Sequence, residues 1–252
     1  MTNIWIAVGV FACLVIASMS MMLLYPRLSS RHRDDETNSV VRSVAGIFVV
    51  MASLVFGLLI NSANATFKAV DANVHAYATS LIILDRTLRS CGSDAEDARE
   101  RLERYVEEAI MRPERGDDAL RDQRSRAARY LNDVGDAMET ITPTDSNQRT
   151  ILVDARRQYH SIIQQRWKIV EQSEGTVPGP VIAMLIAWFT LIFGSFGYRA
   201  PFNPMVTGMF VVSALLIAAS IYLVLDMNIP FHGPIQVSDA PLCRALAEIR
   251  LP

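Results

Sequence analysis

Two long apolar runs near the C-terminal end decide the class of this fold: VIAMLIAWFTLIFGSFGY, residues 181–198, and MVTGMFVVSALLIAASIYLVL, residues 205–225. A short turn joins them. A helix needs about 20 apolar residues to cross the roughly 30 Å hydrocarbon core of a bilayer, and both runs have that length. Helices of soluble proteins are usually apolar on one face only. We therefore interpret the runs as a transmembrane hairpin, with spans at about 180–198 and 205–226.

The charged residues of the chain are confined to a few segments. Of its 252 residues, 51% are hydrophobic and 20% are charged, and nearly all charges fall within residues 27–42, within residues 68–174 or from Asp226 onwards. This separation is typical of a multispan membrane protein with one polar domain. The net charge of −2 does not bear on nucleic-acid binding. The lack of a basic stripe with interleaved aromatic residues argues against a nucleic-acid partner.

Two further apolar runs precede the polar segment. The first, at about 4–25, has no Lys or Arg ahead of it, so we interpret it as a retained transmembrane helix and not as a cleaved signal peptide. The second, at about 44–61, is at the short end for a span. Its helical pattern continues beyond the membrane, because apolar residues follow at steps of three and four. This apolar seam comprises Ile60, Ala63, Phe67, Val70, Val74, Tyr77, Leu81, Leu84 and Leu88. The pattern predicts one long helix that leaves the bilayer and ends near Cys91.

The segment between the second and third spans is predicted to form an extramembrane helical domain. Helices are expected at about 93–112, 118–140 and 142–172, the last beginning at a Thr-Pro pair that is typical of helix N-termini. The fold class is then an all-α integral membrane protein with four transmembrane helices, a helical domain between spans 2 and 3, and a span 2 that continues out of the bilayer. The predicted parts are a first transmembrane pair (1–61), the helical domain (62–176), a second transmembrane pair (177–226) and a C-terminal part (227–252) with a turn, an extended piece and a short amphipathic helix. That last helix is expected to pack on the bundle or to lie at the membrane interface.

One face of the second helix carries polar residues where the span meets water. Asn61, Asn64, Lys68 and Asp71 follow one another at steps of three and four, so they share one face of a helix. This face either lines a pore and contacts ions, or it is the solvated side of an amphipathic helix. The residues alone leave both interpretations open.

The end of the third span concentrates small residues. Gly194, Ser195 and Gly197 lie within four positions of the chain. Small residues allow a neighbouring helix to approach closely. The pattern favours a helix-packing notch, with a backbone-lined ion filter as the alternative.

Asp226 ends the fourth span. It directly follows the apolar run, so its carboxylate is expected at or just inside the membrane boundary. Carboxylates at such depths are costly and usually face a cavity or a partner. Either Asp226 side chains form a ring that selects cations in an oligomer, or each anchors the end of its helix, paired with Arg199 or Lys68.

Positive charges favour one orientation in the membrane. The short loops carry Arg27, Arg31, Arg33, Arg42 and Arg199, whereas the ends of the helical domain carry Lys68, Arg166 and Lys168. Because cytoplasmic loops are enriched in Lys and Arg, both short loops are predicted in the cytoplasm and the helical domain outside. If the domain faces an oxidising compartment, Cys91 and Cys243 could form a disulfide, which the spacing does not decide.

No motif in the chain indicates catalysis. P-loop, GxSxG, HExxH and CxxC patterns are absent, and the four histidines have no metal-ligand spacing. We therefore expect no enzyme activity, no cofactor and no metal site.

The C-terminal part of the chain carries a resemblance to a known family. The residues concerned are Phe193-Gly-Ser-Phe-Gly197, Leu223-Val-Leu-Asp226, Pro230-Phe-His-Gly233, Ile235-Gln-Val-Ser238 and Pro241-Leu242. Together with the order of two N-terminal spans, a helical insert and a C-terminal hairpin, they resemble a bacterial membrane family described as bestrophin-like and otherwise of unknown function. The resemblance implies a four-span protein of the bacterial cytoplasmic (inner) membrane, and an oligomeric ion channel, because bestrophins are pentameric anion channels. Bestrophin-like topology would place the helical domain in the cytoplasm; our prediction follows the charge count and places it outside.

These observations lead to two functional hypotheses. The first is a homo-oligomeric ion channel or channel-like pore, for an unidentified ion, in which the long second helix lines the axis. The second is a non-conducting membrane scaffold or sensor whose helical domain binds a partner or ligand. The expected partners are the lipid bilayer, further copies of the chain and an inorganic ion.

Overall fold

The computed structural model describes residues 2–27, 35–111, 126–173, 178–198, 200–229, 231 and 234–251. Within these ranges the regular structure is helical and contains no strand. The α-helices are α1 (Thr2–Leu24), α2 (Asp35–Ser90), α3 (Glu96–Met111), α4 (Arg126–Thr140), α5 (Ser146–Ser173), α6 (Gly179–Gly197), α7 (Pro204–Met227) and α8 (Ala240–Ile249). The predicted all-α class is confirmed.

Four of these helices are long and apolar enough to cross a membrane. They are α1, α2, α6 and α7, which correspond to the four predicted spans. The protein is therefore a multi-pass membrane protein. Helix α2 is unbroken over 56 residues, as the continuous apolar seam predicts, and no proline interrupts it.

The chain forms two compact units. Residues 1–65 and 176–228 make up one of them, which we call the membrane unit. Residues 66–175 and 229–252 make up the other, which we call the helical unit. Helix α2 contributes residues to both, and the C-terminal residues belong with the helical unit.

In the membrane unit, α1 packs against both helices of the C-terminal hairpin. Its core contains Val10 and Leu14 of α1, Phe193 of α6, and Ala214 and Ala218 of α7. The two alanines are four positions apart and lie on one face of α7, which lets a neighbouring helix approach closely. Small residues are needed at such contacts because apolar burial does not drive helix association inside a lipid bilayer.

Gly197 makes a close contact between α1 and α6. A Cβ atom placed on Gly197 would lie 2.5 Å from the backbone oxygen of Ser18. Ser18 is fully buried, and its hydroxyl donates hydrogen bonds to the carbonyls of Leu14 (3.1 Å) and Val15 (3.0 Å). The hydroxyl is therefore satisfied within its own helix. Glycine is required at position 197 because a Cβ atom there would collide with the Ser18 backbone.

The helical unit is organised around the seam on α2. Val70, Val74, Tyr77, Leu81, Leu84 and Leu88 are all buried, whereas Ile60 and Phe67 are exposed and half-buried respectively. The core continues through Leu102 and Tyr105 of α3, Leu131 and Val134 of α4, and Leu152 of α5. Helix α8 contributes Ile249, with Leu242 and Leu246 packed beside it. The C-terminal helix thus packs on the bundle, the first of the two predicted alternatives.

The start of α5 differs from the sequence-based expectation. The helix begins at Ser146 and not at the Thr142-Pro143 pair. The Asp145 carboxylate accepts a hydrogen bond from the backbone N–H of Gln148 at 2.6 Å, which is the contact of an N-cap residue. The predicted N-cap, Thr142, was therefore three residues too early, because a stronger capping residue, Asp145, follows. The predicted start of the preceding helix, near residue 118, lies outside the described residues.

A matched pair of glycine substitutions tests the α1–α6 contact. We expect Gly197→Ala to destabilise the protein by about 1–3 kcal/mol, because its Cβ would collide with backbone and not with a flexible side chain. Gly194→Ala is the control, since a Cβ there meets nothing within 4 Å. That substitution is expected to be neutral or to stabilise the helix by up to about 1 kcal/mol. Thermal unfolding in detergent micelles measures both, and equal melting temperatures would contradict the contact.

Candidate functional site

The polar face of α2 is made of Asn61, Asn64, Lys68 and Asp71. Asn61 lies at the end of the apolar stretch and is exposed, and Asn64 is half-buried. Further along the same helix, Lys68 is exposed and Asp71 is half-buried. Because α2 is continuous, the helical spacing of these residues holds in the structure. No partner within the described residues buries this face completely.

An apolar surface of the same helix is also uncovered. Ile47, Val50, Leu54 and Leu58 are 64%, 68%, 60% and 62% exposed in the single chain. Apolar area of this size on a membrane helix is normally covered by lipid or by another protein subunit. Helix α2 therefore presents both a polar and an apolar surface to its surroundings.

The three small residues of α6 do not act together. Gly197 contacts α1 closely, whereas Gly194 faces open space within this chain. The Ser195 hydroxyl donates a hydrogen bond to the carbonyl of Leu191 in its own helix, at 2.8 Å. The packing role thus falls on Gly197, and no polar group of these residues is directed at a common site.

Asp226 is buried within the chain. It is 2% exposed, and the hydroxyl of Tyr222, one turn earlier on α7, hydrogen-bonds to its carboxylate. The neighbouring Asn228 is also buried, and the Asn3 amide donates a hydrogen bond to the Leu225 carbonyl at 3.4 Å. Burial and the hydrogen bond from Tyr222 favour the anchoring role of Asp226 over an ion-selecting ring. Arg199, one of the two predicted partners of Asp226, lies outside the described residues.

A buried ion-pair network in the helical unit was missed in the sequence analysis. The Asp85 side chain is 3% exposed and accepts hydrogen bonds from Nε of Arg89 (2.8 Å) and from Nε of Arg99 (3.0 Å). Arg99 also pairs with Glu96 at 3.0 Å. Burial by itself lowers the pKa of Arg99, but hydrogen bonds and charges from Asp85 and Glu96 outweigh it and raise that pKa. The Arg99 guanidinium is therefore held in its charged form by its two carboxylate partners.

A signal for this network is present in the sequence. Asp85 directly follows Leu84, within the apolar seam between Leu81 and Leu88, and Arg89 follows four positions later. A carboxylate at such a position is usually paired, and a spacing of four places the two side chains together on a helix. The second arginine could not be identified in this way, because Arg99 reaches Asp85 from another helix.

Two arginines, Arg89 of this network and Arg250, attach the C-terminal helix α8 to its neighbours. A terminal nitrogen of Arg89 donates a hydrogen bond to the Ile249 carbonyl at 2.9 Å. Arg250 donates to the carboxylate of Glu103 at 2.7 Å and forms a second ion pair with Glu107. A cation beside the last carbonyls of a helix interacts favourably with the helix dipole. The C-terminal end of α8 is thus attached to both α2 and α3.

An apolar pocket of about 80 Å³ lies within the helical unit. Val74 and Tyr77 of α2, Tyr105 of α3, Ile169 of α5, and Val237 and Leu242 of the C-terminal residues form much of its wall. No local pattern in the sequence predicts this pocket, because its walls come from segments that are far apart in the chain.

The cysteines and acidic residues provide no cofactor site in the described part of the chain. Cys13, Cys91 and Cys243 are free thiols, and Cys91 is buried while Cys243 is exposed. Burial raises the pKa of the Cys91 thiol. No group of three or more His, Cys, Asp or Glu residues within the described ranges is placed to hold a metal ion.

Comparison with known proteins supports the resemblance seen in the sequence. A model of the family described as "Bestrophin-like domain" matches residues 12–242. The matched range contains every candidate residue named above. No curated protein and no solved structure matches the chain.

Removal of the Asp85 carboxylate tests the buried network. We expect Asp85→Ala to destabilise the helical unit by about 3 kcal/mol, because it leaves two partly buried guanidinium groups without their shared partner. Asp154→Ala is the control, since Asp154 is exposed and its loss should cost less than about 0.5 kcal/mol. Thermal unfolding followed by circular dichroism compares the two variants. A similar small decrease of the melting temperature in both variants would show that the network contributes little to stability.

Thiol labelling tests the burial of Cys91. At pH 8 we expect the rate at which N-ethylmaleimide modifies Cys91 to be at least about tenfold lower than its rate for Cys243. The reason is that the reactive thiolate of Cys91 is disfavoured and shielded by burial. Since burial raises the pKa of Cys91, its rate should also begin to increase at a higher pH in the native protein than in denaturant. Mass spectrometry of the labelled peptides measures both rates, and the difference should disappear in denaturant. Equal rates in the native protein would contradict the packing of this core.

Proposed function

This chain belongs to the bestrophin-like domain family, and on that premise we propose that it forms a homo-oligomeric ion channel or channel-like pore. Helix α2 would line the axis, with Asn61, Asn64, Lys68 and Asp71 at one mouth. Family membership supports a channel-like membrane protein. The observation that carries the proposal is the exposed Asn61 at the end of an otherwise apolar stretch of α2.

The energetic argument concerns the surroundings of Asn61. An amide transferred from water to hydrocarbon without hydrogen-bond partners costs several kcal/mol. Lipid therefore makes a poor environment for this side chain, whereas water or a second protein surface makes a good one. Asn64 and Lys68 extend the same requirement along one face. A water-filled path beside α2 would satisfy all three residues.

The proposal requires more than one copy of the chain. In the membrane unit, α1, α6 and α7 pack around a core with Phe56 of α2 beside it, and the described residues of that core are apolar. The exposed apolar residues of α2, such as Ile47 and Leu54, lie on the same side of the helix as Asn61 and provide surface for contacts between copies. The ion is not specified by these residues, because Lys68 and Asp71 carry opposite charges on neighbouring turns.

We place the protein in the bacterial cytoplasmic membrane with the helical unit outside. The basis is the concentration of arginines in the two short loops, which favours a cytoplasmic position for those loops. Protease accessibility of the helical unit in intact spheroplasts would test this orientation.

A non-conducting sensor is the second candidate function. The observation in its favour is the apolar pocket of the helical unit, which has the character of a ligand site and is formed entirely outside the membrane unit. In this alternative the spans anchor the helical unit, which binds a ligand or partner.

Conductance in planar bilayers tests the pore. We expect single-channel currents from the wild-type protein, and a conductance lowered about twofold or more by Asn61→Leu or Asn64→Leu, because a polar pore wall becomes apolar. Asn132→Leu is the matched control, since Asn132 is exposed on α4 in the helical unit and its loss should leave the conductance unchanged.

Four results would change the proposal. The absence of current from a folded, inserted protein, or a strictly monomeric protein in the bilayer, would reject the pore and favour the sensor. A loss of cation preference in Asp226→Asn would return that carboxylate to the ion path, against the anchoring role that its burial favours. Equal effects of Asn64→Leu and Asn132→Leu would remove the polar face of α2 from the pore.

A further inference from the structure

The apolar pocket lies between the helices of the helical unit and its C-terminal segment, residues 234–251. Helices α2, α3, α4 and α5 contribute one side of the pocket. Val237 and Leu242 of the C-terminal segment contribute the opposite side. A molecule bound in the pocket would therefore touch both the helices and the segment that covers them.

The polar groups at the pocket are compatible with an uncharged occupant. The hydroxyls of Tyr77 and Tyr105 hydrogen-bond to one another and are buried, so they do not need a ligand to satisfy them. Two charged side chains, Arg166 and Asp239, lie on the wall and have opposite signs. Their opposite charges offset one another, so the wall has no net charge that would select an anion or a cation, and the remaining lining is mainly apolar.

The volume of the pocket limits the size of the occupant. A dry apolar cavity of about 150 Å³ admits benzene or xenon. The pocket described here is smaller, at about 80 Å³, and its lining is mainly apolar. It suits an atom such as xenon, a short branched hydrocarbon, or the apolar end of a longer molecule.

From these observations we propose that the pocket binds a small neutral apolar molecule, or the apolar end of a larger one, and that occupancy holds the C-terminal segment on the helices. The segment is also fastened at its far end by Arg89 and Arg250. Apolar contacts at one end and ion pairs at the other thus hold it in place. The inference does not depend on ion conduction, and it gives the sensor alternative a ligand class.

The expected consequence follows from binding linkage. We call the protein closed when the C-terminal segment lies on the helices and open when it has detached from them. A ligand that binds only the closed form lowers the population of open forms by a factor of 1 + [L]/Kd. Amide hydrogens of the C-terminal segment exchange through those open forms. Their exchange should therefore slow about twofold when free xenon equals its dissociation constant, and more at higher xenon pressure.

Hydrogen–deuterium exchange of the full-length protein in detergent micelles, with xenon as the probe, tests the proposal. Mass spectrometry follows peptides from residues 234–251 under xenon and under nitrogen at the same pressure. We expect slower exchange under xenon in the wild type. In Ala109→Leu, a larger side chain at the pocket wall should abolish the xenon effect and slow exchange under nitrogen. Ala76→Leu is the matched control, because Ala76 is exposed on α2 outside the pocket, and it should respond as the wild type does.

The possible results separate the proposal from effects of xenon on the micelle. No slowing in the wild type would overturn the proposal, and so would a xenon effect that persists in Ala109→Leu. Ala127→Val fills the pocket from α4 and serves as a second variant if Ala109→Leu does not retain wild-type helicity by circular dichroism. Conductance is measured separately, so failure of the pore and failure of this site are distinguishable.

Discussion

Backbone hydrogen bonding in hydrocarbon is the constraint on which this structure depends. A chain inside a bilayer finds no water for its N–H and C=O groups, so each apolar run must form a helix that satisfies them internally. In α2 the same helix extends far beyond its apolar stretch. It does so because a second source of stability takes over, namely the burial of one side of the helix from Val70 to Leu88 in the core of the helical unit.

The helical unit combines apolar burial with one charged network. Asp85 lies beside the α2 seam, and a lone carboxylate buried there would be strongly destabilising. Two guanidinium groups, from Arg89 and Arg99, satisfy it from different helices. Arg89 also donates a hydrogen bond to the Ile249 carbonyl at the C-terminal end of α8. The buried charge thus fixes the position of the C-terminal helix, which in turn forms part of the wall of the apolar pocket.

The candidate residues differ in how far sequence could define their roles. The polar face of α2 follows from helical spacing alone, and it needed no tertiary information. The sequence predicted a close helix contact at Gly197 but not its partner. That partner, the backbone of Ser18, depends on how α1 and α6 meet. For Asp226 the sequence left two roles open, and its burial beside Tyr222 favours anchoring.

By itself the sequence determined the four spans, the continuity of α2 and the side of α2 that is buried in the helical unit. These features depend on interactions between residues a few positions apart, where hydropathy and helical spacing suffice. Only the tertiary structure decided that Arg99 completes the Asp85 network, that α8 packs on the bundle, and that a pocket forms beside Val74. Each of these results requires segments separated by many residues to meet, and no local pattern encodes which surfaces come into contact.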